Sequence, residues 1–269
     1  MNAWHAHRQR QPPPQAPPAV AAPPAGQVPG ALLEIDGLCA GYGAAQVLHD
    51  VDLTVRRGEV VALMGRNGAG KSTLLKATMG LLARRSGRVR FCGQDITQWP
   101  AYLAARQGLG YVPEERRIFA DLTVRENLEV ARQGPRAAQD GQPMPCWTPE
   151  RLFELFPALA AMGRRRAGHL SGGEQQMLCI ARTLMGNPRL ILLDEPAEGV
   201  APVVVDRLAD AVQQLKAQGL GVVLSEQNLP FAAALAERVV VLEQGQVRLA
   251  DAMTAWLANE QARAAWLGV

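Results

Sequence analysis

Short apolar runs, most of them bounded by glycine, recur along the chain at 32–35, 46–54, 59–64, 87–91, 108–112, 190–193, 221–225 and 239–243. Between several of them the apolar positions change to helical spacing, at 71–82, 175–185, 203–217 and 229–236. Strands alternating with helices predict an α/β fold around a mainly parallel sheet, because a crossover helix returns the chain to start the next strand in the same direction. The interval from about 94 to 182 is mostly helical in pattern and carries a Pro/Gly-rich loop at 134–149, so it reads as a helical subdomain set into the α/β core. No repeat of solenoid period is present.

Residues 1–30 have a different texture, rich in Pro, Ala and Gln and without apolar periodicity, as expected of a disordered or polyproline-like tail ahead of a domain spanning 31–269. The charge-free stretch 11–33 has the length of a membrane span but holds eight prolines, which remove helix donors and would strand backbone carbonyls in lipid. Any membrane role is therefore expected to come through a partner. Net charge is +3, and Arg8 and Arg10 lie in the acid-free tail, so the body carries 26 basic against 25 acidic side chains. That near-neutrality argues against a nucleic-acid partner. Four cysteines without CxxC spacing argue against a zinc site or a disulfide framework and suit reduced thiols in the cytoplasm.

The run Gly65-Arg-Asn67-Gly68-Ala-Gly70-Lys71-Ser72-Thr73 follows an apolar strand and opens a helical pattern. This is the phosphate-loop arrangement: glycines let successive backbone N–H groups turn inward around a phosphate chain, and the helix N-terminus adds its positive end. Lys71 is placed for the β- and γ-phosphates and Ser72 for Mg²⁺. Such a loop signifies a nucleoside triphosphate and nothing narrower.

A buried strand, Leu190-Ile-Leu-Leu-Asp194-Glu195-Pro196, ends in two carboxylates. Asp194 offers Mg²⁺ a hard oxygen, and Glu195 is placed to orient and deprotonate an attacking water. Between the two segments, Leu170-Ser171-Gly172-Gly173-Glu174-Gln175-Gln176 opens a helix. Its free N–H groups suit an anion, although Ser-x-x-Glu is equally a capping box, and the residues alone leave both readings open.

Phosphate loop, LSGGEQQ and LILLDEP in this order resemble the ATP-binding subunits of ABC transporters across 31–269. The resemblance implies a P-loop NTPase core of the ABC ATPase type with an inserted helical subdomain, binding ATP and Mg²⁺ and hydrolysing ATP. It implies a head-to-tail pair with a second ATP-binding subunit, in which Ser171, Gly172 and Gly173 close over the partner's nucleotide. It also assigns Tyr42, in Gly41-Tyr42-Gly43, to stacking on adenine, against the alternative of a core ring.

Three positions depart from the commonest pattern of that family. Glu114 stands where Gln usually ligates Mg²⁺, Gln227 where a switch His touches the γ-phosphate, and Ala201 where the loop after the carboxylates usually has Asp. With VPEERRIF, WTPERLFELFP and SEQN, these resemble the shorter of two ATP-binding subunits in importers for branched-chain amino acids. Relatives importing urea and short amides share much of the pattern, and Glu198-Gly199 leans towards them; an exporter or a soluble ABC ATPase is the remaining alternative. The resemblance implies a heterodimer on the cytoplasmic face of the inner membrane, held by permease subunits and served by a solute-binding protein. Glu114 adds negative charge beside the triphosphate and Gln227 cannot become cationic, so this chain's own site is expected to hydrolyse more slowly than its partner's.

Overall fold

Strands β3 (Val60–Met64) and β7 (Leu190–Asp194) are buried at every residue, as is β8 (Gly221–Glu226). Burial on both faces is what a parallel sheet covered by helices requires, and explains why these runs show no polar alternation. In the computed structural model, which describes residues 30–136 and 146–260, they form the centre of a six-stranded sheet. Its order is β10 (Gln246–Ala252), β9 (Arg238–Glu243), β3, β8, β7, β6 (Leu109–Val112). Every neighbouring pair is parallel except the β9–β10 hairpin at one edge.

The side-chain period of two divides the core in half. Val60, Ala62 and Met64 of β3, with Ile191 and Leu193 of β7, face one hydrophobic cluster; Val61, Leu63, Leu190 and Leu192 face the other. Each of these Val, Leu, Ile and Met side chains, fully removed from water, contributes roughly 2 kcal/mol, and the methyl of Ala62 less. On the second face lie α1 (Lys71–Thr78) and a separate antiparallel sheet. That sheet has the order β2 (Ala45–Arg56), β1 (Ala31–Tyr42), β4 (Arg84–Phe91), β5 (Gln94–Asp95). The runs at 32–35, 46–54 and 87–91 therefore do not join the parallel sheet. A tight turn with Tyr42 paired to Ala45 folds β1 straight back on β2, which leaves no room for a crossover helix.

The interval expected to be a helical subdomain holds α2 (Ala101–Gln107), α3 (Val124–Val130), α4 (Pro149–Leu155), α5 (Pro157–Ala160) and the start of α6 (Gly172–Leu184). It also contains β5 and β6, and β6 is an edge strand of the main sheet. Val124, Leu128, Leu152 and Leu159 share one hydrophobic cluster with β7 and β8, so these helices are continuous with the core on that face. The chain closes with α7 (Pro202–Ala217), α8 (Leu229–Leu235) and α9 (Met253–Ala258). The helical pattern at 71–82 stops early, at Thr78, with Gly80 at φ +82° just beyond. The Pro-rich tail, its expected disorder included, and most of the loop at 134–149 lie outside the described residues. Among the described residues no helix is long and apolar enough to cross a membrane.

Candidate active site

The phosphate loop leaves β3 through Gly65, at φ +148°, where a Cβ would come within 2.3 Å of the Leu242 carbonyl oxygen of β9. Only glycine lets the loop turn that close to a neighbouring strand. The loop then delivers Lys71, Ser72 and Thr73 into the first turn of α1. A cleft of about 430 Å³ opens here, lined by Asn67, Gly68, Gly70, Lys71, Ser72, Thr73, Glu114 and Glu195, together with Val47 and Glu198.

Lys71 is 4% exposed, and its Nζ donates to the carbonyl oxygens of Gly65 at 2.9 Å and Arg66 at 3.4 Å. Its remaining reach is to Glu195 Oε1, at 3.2 Å. Gln227 Nε2 donates to the other oxygen of Glu195 at 2.8 Å and to Asn67 Oδ1 at 2.6 Å. Lys71, Glu195, Gln227 and Asn67, drawn from three distant segments, thus form one hydrogen-bonded set. Glu195 is held at φ +44°, a left-handed conformation costing on the order of 1 kcal/mol for a side chain of its type. Its N–H donates to the Ser225 carbonyl at 3.0 Å, which ties the strained residue to β8.

Asp194, 1% exposed, ends β7 and accepts from Ser72 Oγ at 2.9 Å and from Tyr111 OH at 3.1 Å. Burial pushes its carboxyl above the ordinary value, while the Ser72, Tyr111 and Ser225 hydroxyls and the Lys76 charge pull the other way. Burial, with Asp194 next to it, likewise raises the Tyr111 phenol. Ser225 Oγ, on the strand position paired with Asp194, is buried and makes no hydrogen bond of ordinary geometry. Hard oxygens from Asp194, Ser72 and Glu114, with a buried carboxylate short of compensating charge, fit a divalent cation of the Mg²⁺ kind. Among the described residues no histidine or cysteine lines the cleft.

Glu195 is itself paired with a second carboxylate, Glu198. For Glu195, burial works to raise the pKa, but hydrogen bonds with Glu198 and Gln227 and the Lys71 charge outweigh it and hold the carboxyl below its usual range. Glu198 is correspondingly pushed up to about 7, by its hydrogen bond to Glu195, by partial burial and by the charges of Glu195, Glu114 and Glu226. Below about pH 7 Glu198 is protonated; above it, the cleft gains a negative charge. One charge at such a solvated position is worth about 1 kcal/mol at contact distance, so the apparent affinity for a polyanion is expected to weaken about threefold between pH 6 and pH 8. Glu198→Gln should flatten this slope. A slope that persists in the variant, measured with a fluorescent nucleotide, assigns it to another group.

Buried Glu226 accepts from the N–H groups of Ala197 at 3.0 Å, Gln227 at 3.1 Å and Asn228 at 3.2 Å, and so fastens the loop after β7 to the loop after β8. Burial raises its pKa against these three donors. Tyr42 sits at the tip of the β1–β2 hairpin and is 48% exposed, which removes the core-ring alternative; Val47 of the same hairpin lines the cleft.

Ser171, Gly172 and Gly173 do not line this cleft. Ser171 and Glu174 form the reciprocal capping box, with Ser171 N–H donating to Glu174 at 2.7 Å and the Glu174 N–H donating to Ser171 Oγ at 3.4 Å. Arg116 turns inward, donating to the carbonyls of Glu198 at 2.9 Å and Gly199 at 3.3 Å. Arg117 and Glu115 are exposed and paired at 3.6 Å, and half-exposed Phe119 carries the Arg182 guanidinium 4.9 Å from its ring centre. Sequence reasoning missed Tyr111 and Ser225 as parts of the site. The only signal for Tyr111 was its place three residues before Glu114 on the same strand and loop.

Residues 48–198 match the family model described as ABC transporter. The chain is 42% identical over 237 residues to the high-affinity branched-chain amino acid transport ATP-binding protein BraG of Pseudomonas aeruginosa, covering 88% of this chain and 100% of that protein. It is 35% identical over 240 residues to the lipopolysaccharide export system ATP-binding protein LptB of Escherichia coli K12, covering 88% of this chain and 98% of LptB. Among solved structures, the ATP-binding subunit of an ABC transporter superposes with a TM-score of 0.72 at 31% identity, over 88% of this chain and 96% of that one.

Proposed function

Because this chain belongs to the ABC transporter family and is an ATP-hydrolysing subunit of a transporter, we propose that it powers the import of branched-chain amino acids. The observation that carries this reading is the 42% identity to BraG along that protein's whole length. In the proposed reaction Lys71 holds the β- and γ-phosphates of ATP, with the N–H groups of 65–73 around them. A bound Mg²⁺, held by Ser72, Asp194 and Glu114, supplies charge neutralisation of the phosphate oxygens. Glu195 Oε accepts the proton of the attacking water, and Gln227, through Asn67 and Glu195, fixes where that carboxylate points. Tyr42 stacks on the adenine from the hairpin tip. Ser171, Gly172 and Gly173, outside this cleft, serve the nucleotide of a second ATP-binding subunit in a head-to-tail heterodimer. Permease subunits hold the pair on the cytoplasmic face of the membrane and receive substrate from a solute-binding protein.

The test is uptake of labelled leucine, with labelled urea in parallel, in cells lacking this gene and complemented with wild type or with Glu195→Gln. Loss of leucine uptake that only wild type restores is the expected result. A fall in urea uptake alone moves the substrate to short amides, the second reading favoured by Glu198. No change in either leaves both substrate readings without support and makes the co-purifying membrane partners the next question, with export, the direction named for LptB, among the readings to assay.

A further inference from the structure

Asp194 is held by two hydroxyl donors, one on each oxygen: Ser72 Oγ on Oδ1 at 2.9 Å and Tyr111 OH on Oδ2 at 3.1 Å. The fold sets this geometry. β6 pairs in parallel with β7 so that Tyr111 lies opposite Leu192, and residues 190, 192 and 194 point to the same face of the sheet, towards α1. The Tyr111 ring packs against the hydrophobic cluster on that face, and its length carries the hydroxyl one pleat further, to the carboxylate at the strand's end. In the reading above Ser72 is a ligand of the cation, so its oxygen is shared with the metal when the site is loaded. Ser225 Oγ, beside Asp194 on β8, acts on the same carboxyl but has no partner at hydrogen-bond distance and angle among the described residues. Tyr111 donates to the second oxygen at 3.1 Å.

We infer that Tyr111 is a positioning residue for the divalent cation of ATP hydrolysis: its hydroxyl orients the Asp194 carboxylate for metal binding without itself touching metal or nucleotide. Outer donors of this kind set ligand orientation and typically change metal affinity by about tenfold or more when removed. The inference rests on Asp194 and Ser72 being metal ligands.

The test is Tyr111→Phe in the full chain, which deletes one oxygen and keeps the ring. Metal binding is read without turnover, by titrating Mn²⁺ into protein saturated with a fluorescent, non-hydrolysable ATP analogue and following quenching. The expected result is about a tenfold higher Mn²⁺ half-saturation, with analogue affinity in EDTA and thermal midpoint unchanged. An unchanged Mn²⁺ half-saturation overturns the inference and leaves Tyr111 a packing residue, as does an equal loss of analogue affinity in EDTA. Ser72→Ala is the control for the underlying reading. If it shifts Mn²⁺ binding and Tyr111→Phe does not, only the inference about Tyr111 fails. If neither variant shifts it, the metal site itself is misassigned. Should Tyr111→Phe lower the thermal midpoint, the comparison is repeated at a temperature well below the midpoints of both proteins, and the same shift of about tenfold is required there.

Discussion

Replacing Glu195 with Gln lowers ATP turnover by about a thousandfold, within the range for losing a positioned general base, while nucleotide binding survives. The change keeps the side chain's size and removes its charge. Lys71, 3.2 Å from Glu195 Oε1, then loses its ion-pair partner and is freer to meet a phosphate, so binding is expected to hold or tighten. The amide also presents an N–H₂ where Glu195 Oε2 now accepts from Gln227 at 2.8 Å. Two donors cannot share that contact, and Gln227 is expected to fall back on Asn67, its other partner at 2.6 Å. A coupled ATPase assay at saturating ATP, beside equilibrium binding, checks both halves; a loss below tenfold would sink Glu195 as the base. The same change made in the partner subunit tests the expected asymmetry, because equal losses would show that the two sites turn over alike despite Glu114 and Gln227.

Gly245→Ala should destabilise the protein by on the order of 3 kcal/mol and impair nucleotide binding, though Gly245 lies far along the chain from the phosphate loop. Gln244 and Gly245 form the two-residue turn of the β9–β10 hairpin, both at positive φ, as a primed turn needs. The turn is wedged between the loop and β2. Gly245 N–H donates to the Ala69 carbonyl at 2.9 Å, and its own carbonyl accepts from His49 N–H at 2.8 Å. A Cβ at φ +74° would stand 1.7 Å from the Val47 carbonyl oxygen, so backbone rather than side chain must give way. Val47 lines the cleft, and the displacement reaches the nucleotide site directly. Thermal unfolding and nucleotide titration of the variant read the two effects separately. Normal stability with lost binding would show that the turn acts only by steering the loop; normal values of both would remove the turn from the site.

Lys71, Asp194 and Glu195 stood out as candidates from residue type and neighbours alone, because phosphate binding and metal ligation would need particular atoms at the junction of a strand with a loop, and the structure brings Lys71 to Glu195 and Ser72 to Asp194. Gln227 was found only through the resemblance, since a Gln after a strand carries no chemical signal of its own. Tyr111 carried no signal beyond its place three residues before Glu114. A Tyr in an apolar run reads as core, and nothing local says that its hydroxyl ends on a carboxylate 83 positions away. Glu198 was visible as a residue, but its raised pKa comes from its hydrogen bond with Glu195, three residues earlier, from partial burial and from the charges of Glu195 and of the distant Glu114 and Glu226.

Hydrophobic period and glycine placement by themselves determined where β3, β7, β8 and the helices after them lie, because burial on both faces and helical amphipathicity are written locally in residue order. They did not determine which sheet a strand joins. β2 alternates in burial over 50–53 like a half-covered strand, whereas β1 is buried at every residue over 32–35 like the strands of the parallel sheet, and the tight turn after Tyr42, not their composition, folds them into a separate antiparallel layer. The tertiary structure alone decided that Lys71 meets Glu195, that Gln227 meets Asn67, and that a β-turn at Gly245 supports the phosphate loop. Each of these contacts spans more than a hundred residues, and parallel pairing of neighbouring strands sets all their ends at one edge of the sheet, where side chains distant in sequence come within a hydrogen bond of one another.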